Sequence, residues 1–232
     1  MHALWLALLA VLMPTPPPTP RGGGVLTRVD HLAYATPDLD KGVAEIEKLL
    51  GVRATPGGQH PGRGTRNALV SLGPTSYLEI IGPDPDQPPP KEPRSFGLDA
   101  LPAPRLVAWA ANTPDIDALV RNAAGRGVNL GEVKSGGRKR PDGVVLSWRV
   151  TDATKTPGDG IVPFFIDWGT SPHPAATSVK GAKLVALRAE HPNPAEIRRI
   201  LEVIGIDLPV TQGPKPALIA VIECPKGRVE LR

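Results

Sequence analysis

Short stretches in which apolar and polar residues alternate recur along this chain, and such alternation is typical of β-strands with one face in a core. The predicted strands are NALVSLG (67–73), SYLEIIG (76–82), VVLSWRV (144–150), IVPFFIDWG (161–169), ALIAVIE (217–223) and RVELR (228–232). Other stretches place apolar residues three and four positions apart, which predicts amphipathic helices. In DKGVAEIEKLLG, for example, Val43, Ile46 and Leu50 share one face and Gly51 ends the helix.

The order of these elements repeats along the chain. RVDHLAYATPDLD (28–40) and RLVAWAANTPDID (105–117) each run from an apolar strand through Thr-Pro-Asp into a helix, and the two copies are 77 residues apart. Thr or Asp caps a helix well, and Pro suits its first turn. KLVALRAEHPNPAEIRRILEVIG (183–205) is a weaker third copy. Because each copy continues into further strands, the sequence predicts a β-α-β-β-β order three times.

The composition favours a folded chain with these modules joined by Pro-rich segments. Of the 232 residues, 41% are hydrophobic, which is enough for a substantial core. The sequence divides into five segments: an N-terminal signal-like or disordered segment (1–24), a first module (25–83), a Pro-rich linker (84–104), a second module (105–170) and a compact third module (181–232). The fold class is therefore α+β.

Charge and cysteine content exclude some classes of function. The net charge is only +4, and the one dense basic run, GGRKRPDG (136–143), lies between glycines and a proline. We interpret that run as a solvated loop and predict no nucleic-acid partner, because a nucleic-acid binder clusters basic and aromatic residues. Cys224 is the only cysteine, so no disulfide forms within the chain.

The N-terminus carries an apolar run from Ala3 to Met13. This run is too short to span a bilayer, so no stable membrane span is predicted. It has the length of a signal-peptide core, but no Lys or Arg precedes it and no clear cleavage site follows. A start codon assigned too far upstream is a further explanation. We favour a cytoplasmic protein, with export through this segment as the alternative.

Polar side chains collect on one face of the first module. Strand alternation places His31, Asn67, Tyr77 and Glu79 on the face opposite the helix. Glu79 lies among apolar neighbours, and a buried carboxylate needs a partner. One interpretation is a His–Glu or Arg–Glu pair that closes a polar core. The other is a metal or ligand site, since imidazole and carboxylate are the donors that Zn, Fe, Mn and Ni accept.

The segments VDHLAYATPDLD, HPGRGTRNALVSLG and YLEIIGP resemble the glyoxalase-like domain of the vicinal oxygen chelate superfamily, and the resemblance is best over residues 28–83. It implies repeated βαβββ modules that form an open, curled mixed β-sheet barrel with helices on the outside. It also implies a divalent metal, such as Zn, Ni, Mn or Fe, that is held by the first and last strands of the modules. Substrates would chelate this metal through neighbouring oxygens.

The resemblance also implies the ligand set. His31 matches the first-strand ligand and Glu79 the last-strand ligand, while the second copy offers no obvious ligand. Glu230 in the third copy corresponds to Glu79, so we predict that copies one and three close the site. His60, in a Gly-rich stretch, is a further candidate as ligand or general base. His31 with two carboxylates is not the two-histidine, one-carboxylate set of non-haem iron oxygenases, unless His60 joins it.

From the resemblance we expect a metal-dependent lyase or isomerase acting on a small α-hydroxycarbonyl-type substrate. The metal would polarise a carbonyl and steady an enediolate-like intermediate, and Glu79 or His60 would move the proton. The alternatives are a non-catalytic protein that binds or sequesters a small molecule such as an antibiotic, and an extradiol-type dioxygenase. The sequence does not decide the oligomeric state, and a homodimer is one possibility. The predicted substrate contacts are Asn67, Arg66, Tyr77 and Trp168. His173 and His191, which lie beside prolines, are interpreted as surface-turn residues.

Overall fold

A computed structural model describes residues 24–140 and 142–232, and the β-α-β-β-β order occurs in it three times. The first module comprises β1 (Val29–Ala35), α1 (Leu39–Leu50), β2 (Thr55–His60), β3 (Thr65–Gly73) and β4 (Ser76–Pro83). The second comprises β5 (Arg105–Asn112), α2 (Ile116–Gly125), β6 (Val133–Lys139), β7 (Val145–Thr151) and β8 (Phe164–Asp167). The third comprises β9 (Lys183–His191), α3 (Pro194–Val203), β10 (Val210–Gln212), β11 (Ala217–Cys224) and β12 (Gly227–Leu231). Short 3-10 helices lie at Val25–Thr27, Ser95–Ala100 and Pro174–Ala176.

The first two helices begin as the repeated Thr-Pro-Asp motif predicts. Asp38 accepts a hydrogen bond from the backbone N–H of Lys41, and Asp115 accepts one from that of Ala118. Each aspartate thereby satisfies one of the free N–H groups of the first turn. At the other end of α1, Gly51 adopts a φ of 73°, a left-handed conformation that glycine takes without steric cost.

The strands form two sheets, and the first two modules share the larger one. Its eight strands run in the order β2-β3-β4-β1-β5-β8-β7-β6. β1 lies at the junction, parallel to β4 and antiparallel to β5. This mixed sheet curls until its edge strands meet, where Arg138 of β6 donates a hydrogen bond to the carbonyl of Gly57 in β2. The predicted α+β class with a curled mixed barrel is therefore confirmed.

The third module forms a separate sheet with the order β10-β9-β11-β12. The prediction that copies one and three close the site was therefore wrong: β1 pairs with β5 of the second copy. A backbone hydrogen bond from Leu106 to Arg232 joins the last residue of the chain to β5. One hydrophobic core runs through all three modules, so Leu32, Ile161 and Leu218 belong to the same cluster.

Three strands were not predicted: β2, β6 and β10. β6 includes part of the basic run at 136–143, which we interpreted as a loop, and Arg138 within it is buried. β2 and β6 are edge strands that each contain two consecutive glycines, so the alternation that marks a half-buried strand is weak in both. Residues 1–23 lie outside the described part, so the interpretation of the N-terminal segment stays a prediction. Along residues 24–140 and 142–232, no helix is both long and apolar enough to cross a membrane.

A pair of helical glycines allows a test of this packing. A Cβ at Gly42 in α1 would lie 2.6 Å from Cγ2 of Thr36, whereas a Cβ at Gly125 in α2 would meet nothing within 4 Å. Gly125→Ala is expected to raise the free energy of unfolding by about 0.5–1 kcal/mol, as helix propensity dictates. Gly42→Ala should instead lower it by about 1–2 kcal/mol, because overpacking outweighs that gain. Urea denaturation of both variants measures whether the free energy of unfolding rises or falls. An increase for Gly42→Ala would contradict the packing of α1.

Candidate metal and substrate site

The concave side of the eight-stranded sheet encloses a cleft of about 340 Å³. The two modules line it with different chemistry. The polar wall belongs to the first module and consists of His31, His60, Asn67, Tyr77 and Glu79. The opposite wall belongs largely to the second module, whose apolar contribution is Trp148, Val150, Phe164, Ile166 and Trp168. The four polar side chains that strand alternation assigned to one face therefore do meet in one cleft.

Three acceptor groups converge on the polar wall. Nε2 of His31 lies 3.8 Å from Oε2 of Glu79, and Nε2 of His60 lies 3.9 Å from Oε1 of the same carboxylate. Glu79 is only 7% exposed, and Asn67 donates a 2.6 Å hydrogen bond from Nδ2 to its Oε1. His60, which the sequence placed in a loop, ends β2 and reaches the site because it pairs with Thr65 of β3.

The hydrogen bonds at the far side of each ring determine which imidazole nitrogen faces the cleft. Nδ1 of His31 donates to Oδ1 of Asp30 over 2.8 Å, and Nδ1 of His60 lies 2.9 Å from the hydroxyl of Thr65. In the neutral tautomer that carries the ring proton on Nδ1, the Nε2 atom of each ring has a lone pair on the side of Glu79. Metal-binding histidines are oriented in the same way, by a carboxylate or another acceptor on the second ring nitrogen.

Asp30 is a site residue that sequence reasoning missed. It precedes His31 in β1, and regular alternation would send the two side chains to opposite faces. The β1–β5 register shifts between Val29 and His31, which leaves Asp30 as the extra residue of a bulge, and a bulge redirects a side chain. The Asp30 carboxylate therefore lies beside the imidazole of His31.

Three donors surround this buried carboxylate. Besides His31, Nε1 of Trp168 donates to Oδ2 of Asp30 over 3.0 Å, and Nε2 of His173 lies 3.2 Å from the same oxygen. Burial alone would raise the pKa of Asp30, but the hydrogen bonds from His173 and His31 outweigh it and hold the pKa below its usual value. Asp30 is therefore ionised at neutral pH. The interpretation of His173 as a surface-turn residue was wrong, since its ring joins this network.

Burial also shifts the pKa values of two side chains in the cleft. It lowers the pKa of His60, against the opposing charge of Glu79, so the imidazole is neutral at pH 7. Burial, followed by the charges of Asp30 and Glu79, raises the pKa of Tyr77 well above its usual value. Tyr77 therefore keeps its phenolic proton, and its ring stacks on that of His31 with centroids 4.8 Å apart.

Two predicted site residues do not line the cleft. Arg66 alternates away from its neighbour Asn67 in β3 and places Nη2 3.1 Å from Asp40 of α1. Glu230 lies in β12 of the separate third sheet, where Arg188 at 2.7 Å and Arg232 at 2.8 Å hold its carboxylate. The structure thus brings His31, His60 and Glu79 together but not Glu230. Trp168 does line the cleft, with its indole N–H directed to Asp30.

Comparison with protein families decides the relationship. The sequence model of a family described as a glyoxalase-like domain matches residues 29–204. The chain belongs to this family. The match covers both modules of the eight-stranded sheet and extends through the helix of the third. The predicted resemblance to the glyoxalase-like domain is therefore confirmed.

Comparison with solved structures finds matches at low sequence identity, one of which shows the same fold. The crystal structure of a hypothetical protein from Staphylococcus aureus has a TM-score of 0.60 and 14% identity, and the match covers 87% of this chain and 83% of that one. Methylmalonyl-CoA epimerase from Streptomyces coelicolor has a TM-score of 0.43 and 22% identity over 64% of this chain and 99% of its own. The epimerase from Mycobacterium tuberculosis has a TM-score of 0.42 and 19% identity over 68% and 97%. No curated protein matches the sequence.

The donor set of this glyoxalase-like protein can be tested against the divalent metal that the sequence analysis predicted. Within the described residues, no group of three His, Cys, Asp or Glu side chains is arranged to hold an ion as it stands. Yet the 3.8 and 3.9 Å gaps to Glu79 are within the span of two ligand bonds of about 2.1 Å each. Two imidazole Nε2 atoms and a carboxylate are also suitable donors. By donor chemistry and by their distances to Glu79, the two histidines and the carboxylate therefore fit a divalent metal ion.

Proposed function

We propose that this glyoxalase-like protein is a metal-dependent lyase or isomerase that acts on a small α-hydroxycarbonyl-type substrate. One observation carries the proposal: the Nε2 atoms of His31 and His60 and the carboxylate of Glu79 face one another in a buried cleft. A buried carboxylate flanked by two imidazoles is stabilised by a cation shared among them, and a divalent metal ion is one that all three groups can bind. Family membership supports this interpretation, because superfamily members typically bind divalent metals.

His31, His60 and Glu79 would hold the ion, for which Zn, Ni, Mn and Fe are the candidates. When bound, such an ion polarises a carbonyl oxygen of the substrate. The remaining groups bind, orient and shield the substrate. Tyr77 retains a proton to donate from its Oη, and the aromatic wall with Trp148 and Phe164 keeps water away from the polar groups.

The groups that could transfer a proton lie on the same polar wall of the cleft. Asn67 holds Oε1 of Glu79, so Oε2 is the carboxylate oxygen that is free to take a proton from a substrate carbon. The neutral Nε2 of His60 is the second atom able to do so, 3.4 Å from Nδ2 of Asn67. Gly57 makes room for this arrangement, because a Cβ at that position would collide with Oδ1 of Asn67.

A second candidate is a ring-cleaving dioxygenase, which one observation favours. His60 joins His31 and Glu79, so the site presents the two-histidine, one-carboxylate set that Fe(II) oxygenases use. Oxygen uptake by the Fe(II)-loaded protein with catechols would identify this activity. Wash-in of deuterium at the α-carbon of hydroxyketones and hemithioacetals in D₂O would instead identify the lyase or isomerase.

Metal content tests the proposal before any substrate is known. After purification and loading with Zn, Ni, Mn or Fe(II), elemental mass spectrometry is expected to find about one ion per wild-type chain, held by the three donors. His31→Ala and His60→Ala should lose it. His191→Ala is the matched control and should keep it, because His191 lies in the third module beside Asp159. A wild-type chain that takes up none of these ions would overturn the proposal in favour of non-catalytic small-molecule binding.

A further inference from the structure

A buried arginine faces the metal-donor wall from the other module. Arg138 of β6 is only 5% exposed and lines the cleft together with His31, Tyr77 and Glu79. Arginine is almost never buried this deeply unless a carboxylate or another acceptor pairs with it. Burial lowers the pKa of Arg138 from its usual value, yet the group remains a cation at neutral pH because that value is far above 7.

Most hydrogen-bonding capacity of this guanidinium is unused within the protein. Arg138 donates from Nη1 to the carbonyl of Gly57, and in the described part of the chain no Asp or Glu lies within ion-pair distance of it. A guanidinium carries five N–H donors in a planar fork. Among the described residues, two side-chain polar atoms are buried from solvent without a hydrogen-bond partner, and these are Nε of Arg66 and Oδ1 of Asn67. No nitrogen of Arg138 is in that position. The free donors of Arg138 therefore open into the cleft.

Other charged groups of the cleft do not satisfy this cation. Glu79 influences Arg138 electrostatically but directs its oxygens to Asn67, His31 and His60. Lys134, which also lines the cleft, is neutralised by Asp152 at 3.0 Å. Arg63 lies exposed at the rim and adds positive charge. One buried positive charge is thus left to be met by a ligand.

We propose that Arg138 binds a carboxylate of the substrate. The fork of a single guanidinium matches the two oxygens of a carboxylate in a bidentate pair, and one uncompensated cation suits a monoanion. The carboxylate would lie against Arg138 while the neighbouring α-hydroxyl or α-oxo oxygen reaches towards His31, His60 and Glu79. The placement of that neighbouring oxygen rests on the proposed function. Together, the carboxylate site and the metal site specify α-hydroxy or α-oxo acids rather than neutral hydroxyketones.

A matched pair of probes tests the carboxylate site directly. Mandelate and mandelamide share the α-hydroxyl and an aromatic ring for the apolar wall, and they differ in the charge of the carboxylate. Trp148 and Trp168 line the cleft, so tryptophan fluorescence reports binding to metal-free and metal-loaded protein alike. Wild-type protein is expected to prefer mandelate by about 10- to 100-fold, the range of hydrogen bonds to a charged group.

Variants assign that preference to one side chain. Arg138→Gln should abolish the preference by weakening mandelate binding, with mandelamide binding unchanged. Lys139→Gln removes the same charge from the next residue, whose side chain is exposed, and should leave the preference intact. Equal binding of both probes to wild-type protein, or a preference that survives in Arg138→Gln, would overturn the inference. If Arg138→Gln fails to fold, the wild-type comparison decides alone.

The metal content of the same samples separates this inference from the proposed function. Metal-loaded wild-type protein that binds both probes equally refutes the carboxylate site and leaves the metal proposal standing. Wild-type protein that takes up no metal on loading, yet prefers mandelate, would refute the metal proposal. The carboxylate site would still stand if Arg138→Gln abolished that preference. Arg138→Gln should itself keep its ion, because Arg138 is not among the three donors.

Discussion

Asp30→Asn is expected to weaken the binding of a divalent ion by about 10- to 100-fold, the usual cost of removing a partner that orients a metal-binding histidine. Oδ1 of Asp30 fixes the Nδ1–H tautomer of His31, and this leaves Nε2 free to bind the ion. An asparagine carries no charge and cannot accept from His31, Trp168 and His173 equally well. Competition with a metal-chelating dye measures the affinity.

A matched substitution separates positioning from general damage. Asp84 is equally buried and accepts hydrogen bonds from Gln87 and from the backbone of Asp86, but it does not line the cleft. Asp84→Asn should cost stability and leave the metal affinity unchanged. If both variants bind the ion as tightly as wild-type protein, Asp30 is not a positioning residue. If both weaken it equally, the effect of Asp30 is structural.

Glu79→Gln is expected to change stability in opposite directions with and without metal. In metal-free protein the carboxylate faces two imidazole lone pairs, and a neutral amide that can donate to one of them should raise the free energy of unfolding by about 1 kcal/mol. Metal at about 1,000 times its dissociation constant should stabilise wild-type protein by about 4 kcal/mol. The variant should gain almost none of this, because it lacks the anionic donor.

Urea denaturation with and without added Zn or Ni measures the free energy of unfolding of Glu79→Gln and of wild-type protein under both conditions. Asn67→Ser is a useful companion, because it removes the 2.6 Å hydrogen bond to Oε1 of Glu79 and keeps all three donors. That variant should still be stabilised by metal. A loss of several kcal/mol in metal-free Glu79→Gln would contradict this account and would mean that Glu79 forms a structural ion pair with a protonated His31.

The predictable part of the fold is the part with strong periodicity. The strands that contain Asn67, Tyr77 and Glu79 alternate clearly, so both the module and the shared polar face followed from the residues. The order in which modules pair is a property of long-range contacts, and the residue pattern within one module does not reveal it. The prediction that Glu230 lies in the cleft was therefore wrong, although Glu230 does lie in the last strand of its module, as Glu79 does.

The missed site residues have specific physical reasons. A bulge moves Asp30 beside His31, and no local pattern in VDHLA marks an extra residue in a strand. Arg138 lies in a glycine- and lysine-rich edge strand that resembles a loop in sequence. His173 stands between two prolines, and its ring reaches Asp30 across 143 positions in the chain. Each of these depends on strand register or on closure of the barrel, which sequence pattern alone does not encode.

The division of the cleft between the two modules has a consequence for how this family can diversify. The proposed metal donors and proton acceptors come from β1 to β4, whereas Arg138 and the aromatic wall come from the second module. Substitutions in the second module can therefore alter which molecule is recognised while the reactive groups keep their geometry. One half of the barrel would then be constrained by the reaction, and the other by the shape and charge of the molecule that it recognises.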